Sequence, residues 1–391
     1  MRRFHALTCA AMIAATGPGA HARPSPADGV AVSQPPSAYD VPIALLVDMG
    51  SGQVLFEREA DRRFMPASIT KVMSTFVAFE LLENKRLHTE RVFQVSPAVA
   101  RDWRRVGSTM FLDVGQRVTV DDLLHGITTV SANDGAAVLA EGAAGSLPQW
   151  VALMNRTAAK LGMYDSHFGT PNGWTDSGAT YVTARDLVTL GGAMIARHPS
   201  KFRHFYGKRA FTYGGITQTN HDPITGHVPG ADGIKTGFTN DAGYGFLGTA
   251  QRNNRRLLMV VAGIDTARKR NEAAIALMEW GFASFNGQRV LPAGHVVGMA
   301  RVQDGNASAV GLRLGGPLNL SVPQARPANV RLQVRYDGPI KAPFSTGDRV
   351  ADLEVLVDGM QPYHLPLYAD RDVARANPAR RVVNAIAGIF R

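Results

Sequence analysis

Three short clusters in this chain carry residue types at spacings that could do chemistry. The first is Ser68-Ile69-Thr70-Lys71, a hydroxyl and an amine three residues apart. On a helix those positions share a face, so the lysine amine can reach the serine hydroxyl. A serine is a poor nucleophile until a neighbouring base takes its proton. A lysine can be that base only when neutral, and burial or a second nearby cation lowers its pKa toward that state. A helix start also presents unpaired backbone N–H groups that could hold an oxyanion. The second cluster, Ser131-Ala132-Asn133, begins 63 residues on (131 − 68). Its hydroxyl could pass a proton to a leaving group, and its amide could grip a peptide bond. The third, Lys235-Thr236-Gly237, lies 104 residues further (235 − 131). On an edge strand it offers a cation and a hydroxyl to a substrate carboxylate, and the glycine admits a ligand backbone closely. Each cluster alone also has an ordinary reading: helix caps at Ser68 and at Ser131 or Asn133, a surface lysine at 71, and a turn before a strand at 235.

The surrounding pattern supplies elements to hold these groups. Ile43 to Val47 and Gln53 to Glu57 flank Asp48-Met49-Gly50-Ser51-Gly52 and read as a β-hairpin. A helix starts near Ser68, and its apolar residues Ile69, Val72, Met73, Phe76, Val77, Phe79 and Leu81 go nearly all the way round, which suits a domain interior. Residues 120–129, 131–141, 147–161 and 183–196 read as helices. Two strand patterns, 243–249 and 256–263, turn at Arg252-Asn253-Asn254, and an amphipathic helix follows at about 269–285. Near Val290 the pattern changes to short strands broken by Gly, Pro and Asp, continuing to about Tyr368. The expected class is α+β: strands at both ends of residues 39–290 with helices between them, then a small all-β domain.

Composition narrows the setting. The chain has 391 residues and a formal charge of +10. It has no Lys/Arg run with interleaved aromatics, so nucleic acid is not an expected partner. Arg2 and Arg3, the apolar stretch Ala6 to Ala15 and the Ala20-His21-Ala22 cleavage pattern read as a secretory signal peptide. The sole cysteine, Cys9, falls inside it, so the mature chain would form no disulfide. The expected organisation is a signal peptide (1–22), a Pro/Ser/Ala-rich lead-in (23–38), a catalytic domain (39–289), a β-rich domain (290–370) and an amphipathic tail (371–391). In the tail Val382, Val383, Ile386, Ile389 and Phe390 recur at helical spacing beside Arg380, Arg381 and Arg391, a pattern for weak contact with a membrane surface. The eleven histidines are scattered without a His-x-x-x-His or Cys cluster, and there is no Gly-rich phosphate loop. No metal and no cofactor are expected.

The order S-x-x-K, S-x-N, K-T-G is close to the motif set shared by class A β-lactamases and penicillin-binding proteins, here with S-A-N in place of S-D-N. The wider text around it resembles the low-molecular-mass penicillin-binding proteins, serine-type D-alanyl-D-alanine carboxypeptidases, from about Tyr39 to Tyr368. Four stretches carry the resemblance: M-P-A-S-I-T-K-V-M from Met65, G-S-T-M-F-L-D-V-G-Q-R-V-T-V-D-D-L-L-H-G from Gly107, S-A-N-D-G-A-A from Ser131, and D-G-I-K-T-G-F-T-N-D-A-G-Y from Asp232. The resemblance implies a five-stranded antiparallel sheet flanked by helices on both sides plus a β-rich C-terminal domain, and a periplasmic enzyme that removes the terminal D-alanine from peptidoglycan stem peptides and is inhibited covalently by β-lactams. It implies Ser68 as nucleophile, Lys71 as general base and Ser131 as proton relay. Asn133 would hold the substrate backbone, Lys235 and Thr236 the terminal carboxylate, and the N–H groups of Ser68 and Phe238 the oxyanion. Arg270 matches a family arginine that sets charge near the carboxylate. Two departures stand out: Phe238 follows K-T-G where His is common, and Asn220-His221-Asp222 stands where the family tends to have N-R-N, which leaves His221 as a replacement or, by preference, a surface-loop residue. A class A-like β-lactamase is the nearest alternative, but from Gly142 to Ile234 there is no glutamate to drive deacylation. A D,D-endopeptidase is a second alternative, although such relatives are usually shorter. An inactive wall-binding module is a third, opposed by the intact Ser68, Lys71, Ser131 and Lys235.

Overall fold

The structure, a computed structural model, describes residues 35–37, 40–324 and 328–377. The signal peptide, nearly all of the lead-in and the apolar tail stripe lie outside the described residues. Two compact units are present: 40–49 with Val54–Ala283, and Ser284 onward with Gly50–Gln53.

The larger unit begins with the hairpin β1 (Ile43–Asp48) and β2 (Val54–Arg58), then a 3-10 turn, Ala67–Thr70, that runs into α1 (Lys71–Glu83). Next come β3 (Val92–Gln94), α2 (Pro97–Trp103), β4 (Arg117–Thr119), α3 (Val120–Thr129), α4 (Asn133–Ala144) and α5 (Leu147–Leu161). After these follow α6 (Ala184–Arg197), α7 (Pro199–Phe205) and the small hairpin β5 (Ala210–Tyr213) and β6 (Ile216–Thr219). The unit closes with β7 (Ala231–Thr239), β8 (Gly243–Arg252), β9 (Arg255–Ile264) and α8 (Ala267–Ser284), the last residue falling across the boundary. Five strands form one antiparallel sheet in the order β2-β1-β9-β8-β7, so strands from both ends of the unit meet in it and β7 is an edge.

This sheet is covered on both faces, which is why its central strands are apolar without alternation. Ile43, Leu45, Leu247, Leu258 and Val260 share one core with α1 and α3–α6. On the other face α8 brings Gly281 against Leu46 and Leu257, and Trp280 meets Phe56 edge-on at 5.9 Å. Helix α1 is buried on all sides from Lys71 to Phe79, as its unbroken apolar pattern requires. Helices α2, α3, α5 and α6 begin on serine or threonine hydroxyls that accept the N–H three residues on. Helix α4 does not: it starts at Asn133, after Ala132, with no side-chain cap, and Ser131 stands outside it at φ 66°. Capping therefore does not explain Ser131.

The β-rich unit contains β10 (Phe285–Leu291), β11 (Val296–Gln303), β12 (Ala309–Leu314), β13 (Leu318–Pro323), β14 (Val330–Arg335), β15 (Ile340–Lys341), β16 (Arg349–Val357) and β17 (Tyr363–Ala369). Six of these form a sheet in the order β14-β16-β17-β12-β11-β15, and β10 pairs with β13. Alternate residues Ala351, Leu353, Val355 and Val357 of β16 point into its core. Its first strand starts before the compositional change near Val290, because Asn286 to Arg289 are exposed and polar and carry no strand signal. Among the described residues no helix is long and apolar enough to cross a membrane.

One network ties α5 to α1 beneath the first chemical cluster. Trp150 is fully buried and its indole N–H donates to Ser74 Oγ (3.2 Å), which in turn donates to the carbonyl of Pro171 (2.5 Å). Trp150→Ala removes a large buried ring and this bond, and should cost about 3–5 kcal/mol in urea unfolding. A loss below ~1 kcal/mol would mean that the network is not a support of α1.

Candidate active site

The three clusters, far apart in sequence, meet at one cleft of about 630 Å³ lined by Ser68, Ser131, Asn133, Thr236, Gly237, Phe238 and Arg270 among others. Ser68 lies in the 3-10 turn and Lys71 opens α1, so the i, i+3 spacing brings the amine under the hydroxyl. Lys71 Nζ is 2.8 Å from Ser68 Oγ, 2.7 Å from Asn133 Oδ1 and 2.8 Å from the Asn172 carbonyl. An ammonium could donate to all three. A neutral amine fits as well, donating to the two amide oxygens and accepting from the serine O–H along its lone pair. Lys71 has no exposed surface. Burial first and the charge of Lys235 second hold its pKa well below the ordinary lysine value, with Asp134 opposing.

The loop between α3 and α4 delivers Ser131 and Asn133. Ala67, just before Ser68, and Ser131 both have left-handed backbone, at φ 49° and 66°. Such conformations cost about 1–3 kcal/mol each and persist only where surrounding structure enforces them. Part of that enforcement comes from Asp134, whose buried carboxylate accepts the N–H groups of Met110, Leu112 and Gly135. The Asn133 N–H donates to the Ser108 carbonyl at 2.8 Å and its Nδ2 to the Val106 carbonyl at 2.8 Å. Asn133 thus holds the 106–108 loop and Lys71 together, and its second Nδ2 proton is left for a ligand.

Strand β7 forms the opposite wall. Lys235 and Thr236 are buried, and Phe238 is 47% exposed and stacked on Tyr244 at 4.1 Å. A Cβ on Gly237 would collide with the Pro66 carbonyl, so only glycine lets β7 lie this close to the turn carrying Ser68. Lys235 donates to its neighbour's carbonyl, Thr236 O, at 3.1 Å. Burial and then Arg270 bring its pKa down to about 7, against the pull of Asp222. Arg270, at the start of α8, is brought down to about 10 by burial, with Asp222 and Tyr244 opposing, and it remains a cation at neutral pH.

Several contributors were not legible in the three motifs. Trp174 walls the cleft and meets Trp103 edge-to-face at 6.3 Å, and Asn172 supplies a carbonyl to Lys71. Only the turn signal Pro171-Asn172-Gly173 hinted at that loop. His221, expected by preference to be a surface-loop residue, is an exposed loop residue that also lines the cleft. Partial desolvation, then Lys235 and Arg270, lower its pKa. The reason is its neighbours: Asp222 accepts the N–H groups of Ile224 and Thr225, and Asn220 Nδ2 donates to the Lys208 carbonyl, which fixes the loop with His221 against the site.

Comparison with known proteins agrees with this geometry. Residues 29–266 match the family model for D-alanyl-D-alanine carboxypeptidase (peptidase S11), and residues 285–375 match the C-terminal domain of penicillin-binding protein 5. The D-alanyl-D-alanine carboxypeptidase DacD of Salmonella typhimurium is 33% identical over 341 residues, 84% of this chain and 85% of that protein. DacA of Haemophilus influenzae is 31% identical over 356 residues, 88% of this chain and 86% of that one. Among solved structures, penicillin-binding protein 5 from Haemophilus influenzae aligns with a TM-score of 0.77 at 30% identity, covering 88% of this chain and 99% of that one. Penicillin-binding protein D2 from Listeria monocytogenes, in an ampicillin-bound form, aligns with a TM-score of 0.57 at 30% identity over 64% of this chain and all of that one. With a family match across most of the larger unit and a second across the β-rich one, the chain belongs to the peptidase S11 D-alanyl-D-alanine carboxypeptidases, a family of penicillin-binding serine hydrolases.

Proposed function

We propose that this enzyme removes the C-terminal D-alanine of peptidoglycan stem peptides through an acyl-enzyme on Ser68. The observation that carries the assignment is the 2.8 Å approach of a fully buried Lys71 amine to Ser68 Oγ. Lys71 takes the hydroxyl proton as Oγ attacks the carbonyl carbon between the two D-alanines. The N–H groups of Ser68 and Phe238 hold the resulting oxyanion. Ser131 relays the proton held by Lys71 to the departing amine as the C–N bond breaks, which leaves both side chains as they began. Water then attacks the ester, and Ser68 recovers its proton. Asn133 steadies the substrate backbone. Lys235, Thr236 and Arg270 bind the terminal carboxylate, joined by His221 at the cleft wall.

β-Lactams acylate the same serine in this reading, supported by relatives solved with ampicillin and cefotaxime bound. Among the described residues lining the cleft the one carboxylate is Asp241. The segment 142–234 has no glutamate, which favours slow release of a penicilloyl group over β-lactamase turnover. The enzyme works outside the cytoplasmic membrane, in the periplasm. This rests on the 1–22 leader pattern and on the cell-wall substrate of the family. The tail stripe of residues 382–390 holds it weakly to that membrane's outer face.

Three outcomes test this reading. Ser68→Ala should abolish labelling by a fluorescent penicillin and lower kcat on a D-Ala-D-Ala pentapeptide on the order of 10³-fold or more, with an unchanged melting temperature; labelling at parental stoichiometry would remove Ser68 from its role. The pH profile of kcat/KM should rise as Lys71 loses its proton and fall again as Lys235, near 7 in the free enzyme, loses the charge that binds carboxylate. Lys235→Ala should weaken peptide binding, abolish that alkaline limb and move the acid limb to higher pH, since the cation depressing Lys71 is gone; an unmoved acid limb refutes the coupling. Full-length protein should float with anionic liposomes better than protein ending at Ala379, and equal flotation rules out the tail as an anchor.

A further inference from the structure

Histidines that are scattered in the sequence converge at one point away from the three motifs. Asp121 and His125 stand one turn apart on α3, and His204 lies in the last turn of α7. Nε2 of His204 is 3.3 Å from Asp121 Oδ1, and Nε2 of His125 is 3.8 Å from Asp121 Oδ2. One donor atom from each of the three residues lies within 4.8 Å of the other two. The His204 contact is a long hydrogen bond, whereas the His125 contact is beyond hydrogen-bond reach. Tetrahedral zinc ligands at bonds of about 2.0–2.2 Å stand roughly 3.3–3.6 Å apart, so donors within 4.8 Å of one another need a small inward movement of side chains to close on an ion. A helix-start aspartate pairing with one histidine would account for Asp121 and a single ring. It does not account for two imidazoles directed at one carboxylate.

The donors sit on a scaffold that is already fixed. The His125 ring is stacked on Phe211 at 5.8 Å and lies 4.8 Å from Phe205, and the two imidazoles meet edge-on at 5.1 Å. Thr128 Oγ1 donates to the Phe205 carbonyl at 2.9 Å, which ties the end of α7 to α3 next to the cluster. The His125 side chain is 17% exposed, whereas Asp121 and His204 are open to solvent at 41% and 58%. An ion could therefore arrive from solvent and keep water as its fourth ligand.

We propose that Asp121, His125 and His204 form a binding site for a late first-row divalent ion, zinc by its preference for imidazole and carboxylate in tetrahedral geometry. The ion clips α7 to α3, the helix that runs directly into Val130 and Ser131. The role is structural, and the reaction needs no metal at this place.

The test uses the untagged mature chain, stripped of metal and dialysed against zinc. One zinc per chain should be retained, the melting temperature should rise with zinc, and cobalt(II) loading should give the visible absorption of a tetrahedral centre. His204→Ala and Asp121→Asn alter exposed side chains, so both should fold and melt with the parent in chelator. Each should weaken zinc binding by at least the roughly 10–100-fold lost when an outer partner of a ligand is removed, and abolish the cobalt spectrum. Zinc binding by the parent no tighter than by His204→Ala, or a cobalt spectrum that survives in both variants, overturns the site. If His204→Ala melts early in chelator, His204→Gln, which keeps the side-chain volume, replaces it under the same criteria.

Discussion

An amine buried without solvent and close to a second cation is the constraint around which the catalytic unit is arranged. Lys71 cannot be wetted, so each of its three polar contacts must come from the protein. They come from three different segments: the turn before α1, the start of α4 and the loop at Asn172. Each segment needs its own support. Asp134 gathers the 110–112 backbone, the Asn133 amide holds Val106, and Ser74 holds Pro171. The left-handed Ala67 and Ser131 are tolerated because these supports leave the chain no cheaper path.

The same burial sets up the electrostatics. Lys235 and Arg270 share a poorly solvated wall, and Asp222 offsets only part of their mutual repulsion. A site with excess positive charge and little water attracts an anion, and a peptide ending in a free carboxylate supplies one. In the proposed reaction a substrate carboxylate beside Lys235 would favour its charged form. The proposal thus gives the two lysines opposite roles, one as a base and one as an anion anchor, in keeping with their different surroundings.

Closeness of backbone matters as much as charge. Strand β7 approaches the Ser68 turn so nearly that Gly237 has no room for a Cβ, and Gly173 at φ 74° is pressed likewise against the Ala67 carbonyl. The glycine of K-T-G is thus as much a packing requirement between strand and turn as a place for ligand. Elsewhere in the unit the packing of α7 on α3 brings His204 to Asp121 and His125.

The sequence by itself determined the elements and the chemistry on offer. Local periodicity marked α3 and α5 by a one-sided apolar face, and α1, β8 and β9 by the apolar runs that an interior helix and a doubly covered strand leave. Three motifs in order identified Ser68, Lys71, Ser131, Asn133, Lys235 and Thr236 as one set, since each spacing reflects a local geometry that short-range structure maintains. Tertiary structure alone decided what depends on through-space neighbours. The depression of Lys71 comes first from burial among distant segments and then from Lys235, 164 residues away (235 − 71). Whether Ser131 caps a helix was decided by the loop tension around Asp134. His221 became a cleft residue because the sides of its loop are bonded down. The Asp121, His125 and His204 cluster joins helices that no local pattern relates. Burial, pKa and coordination are sums over neighbours in space, and a chain read one window at a time contains only the neighbours in sequence.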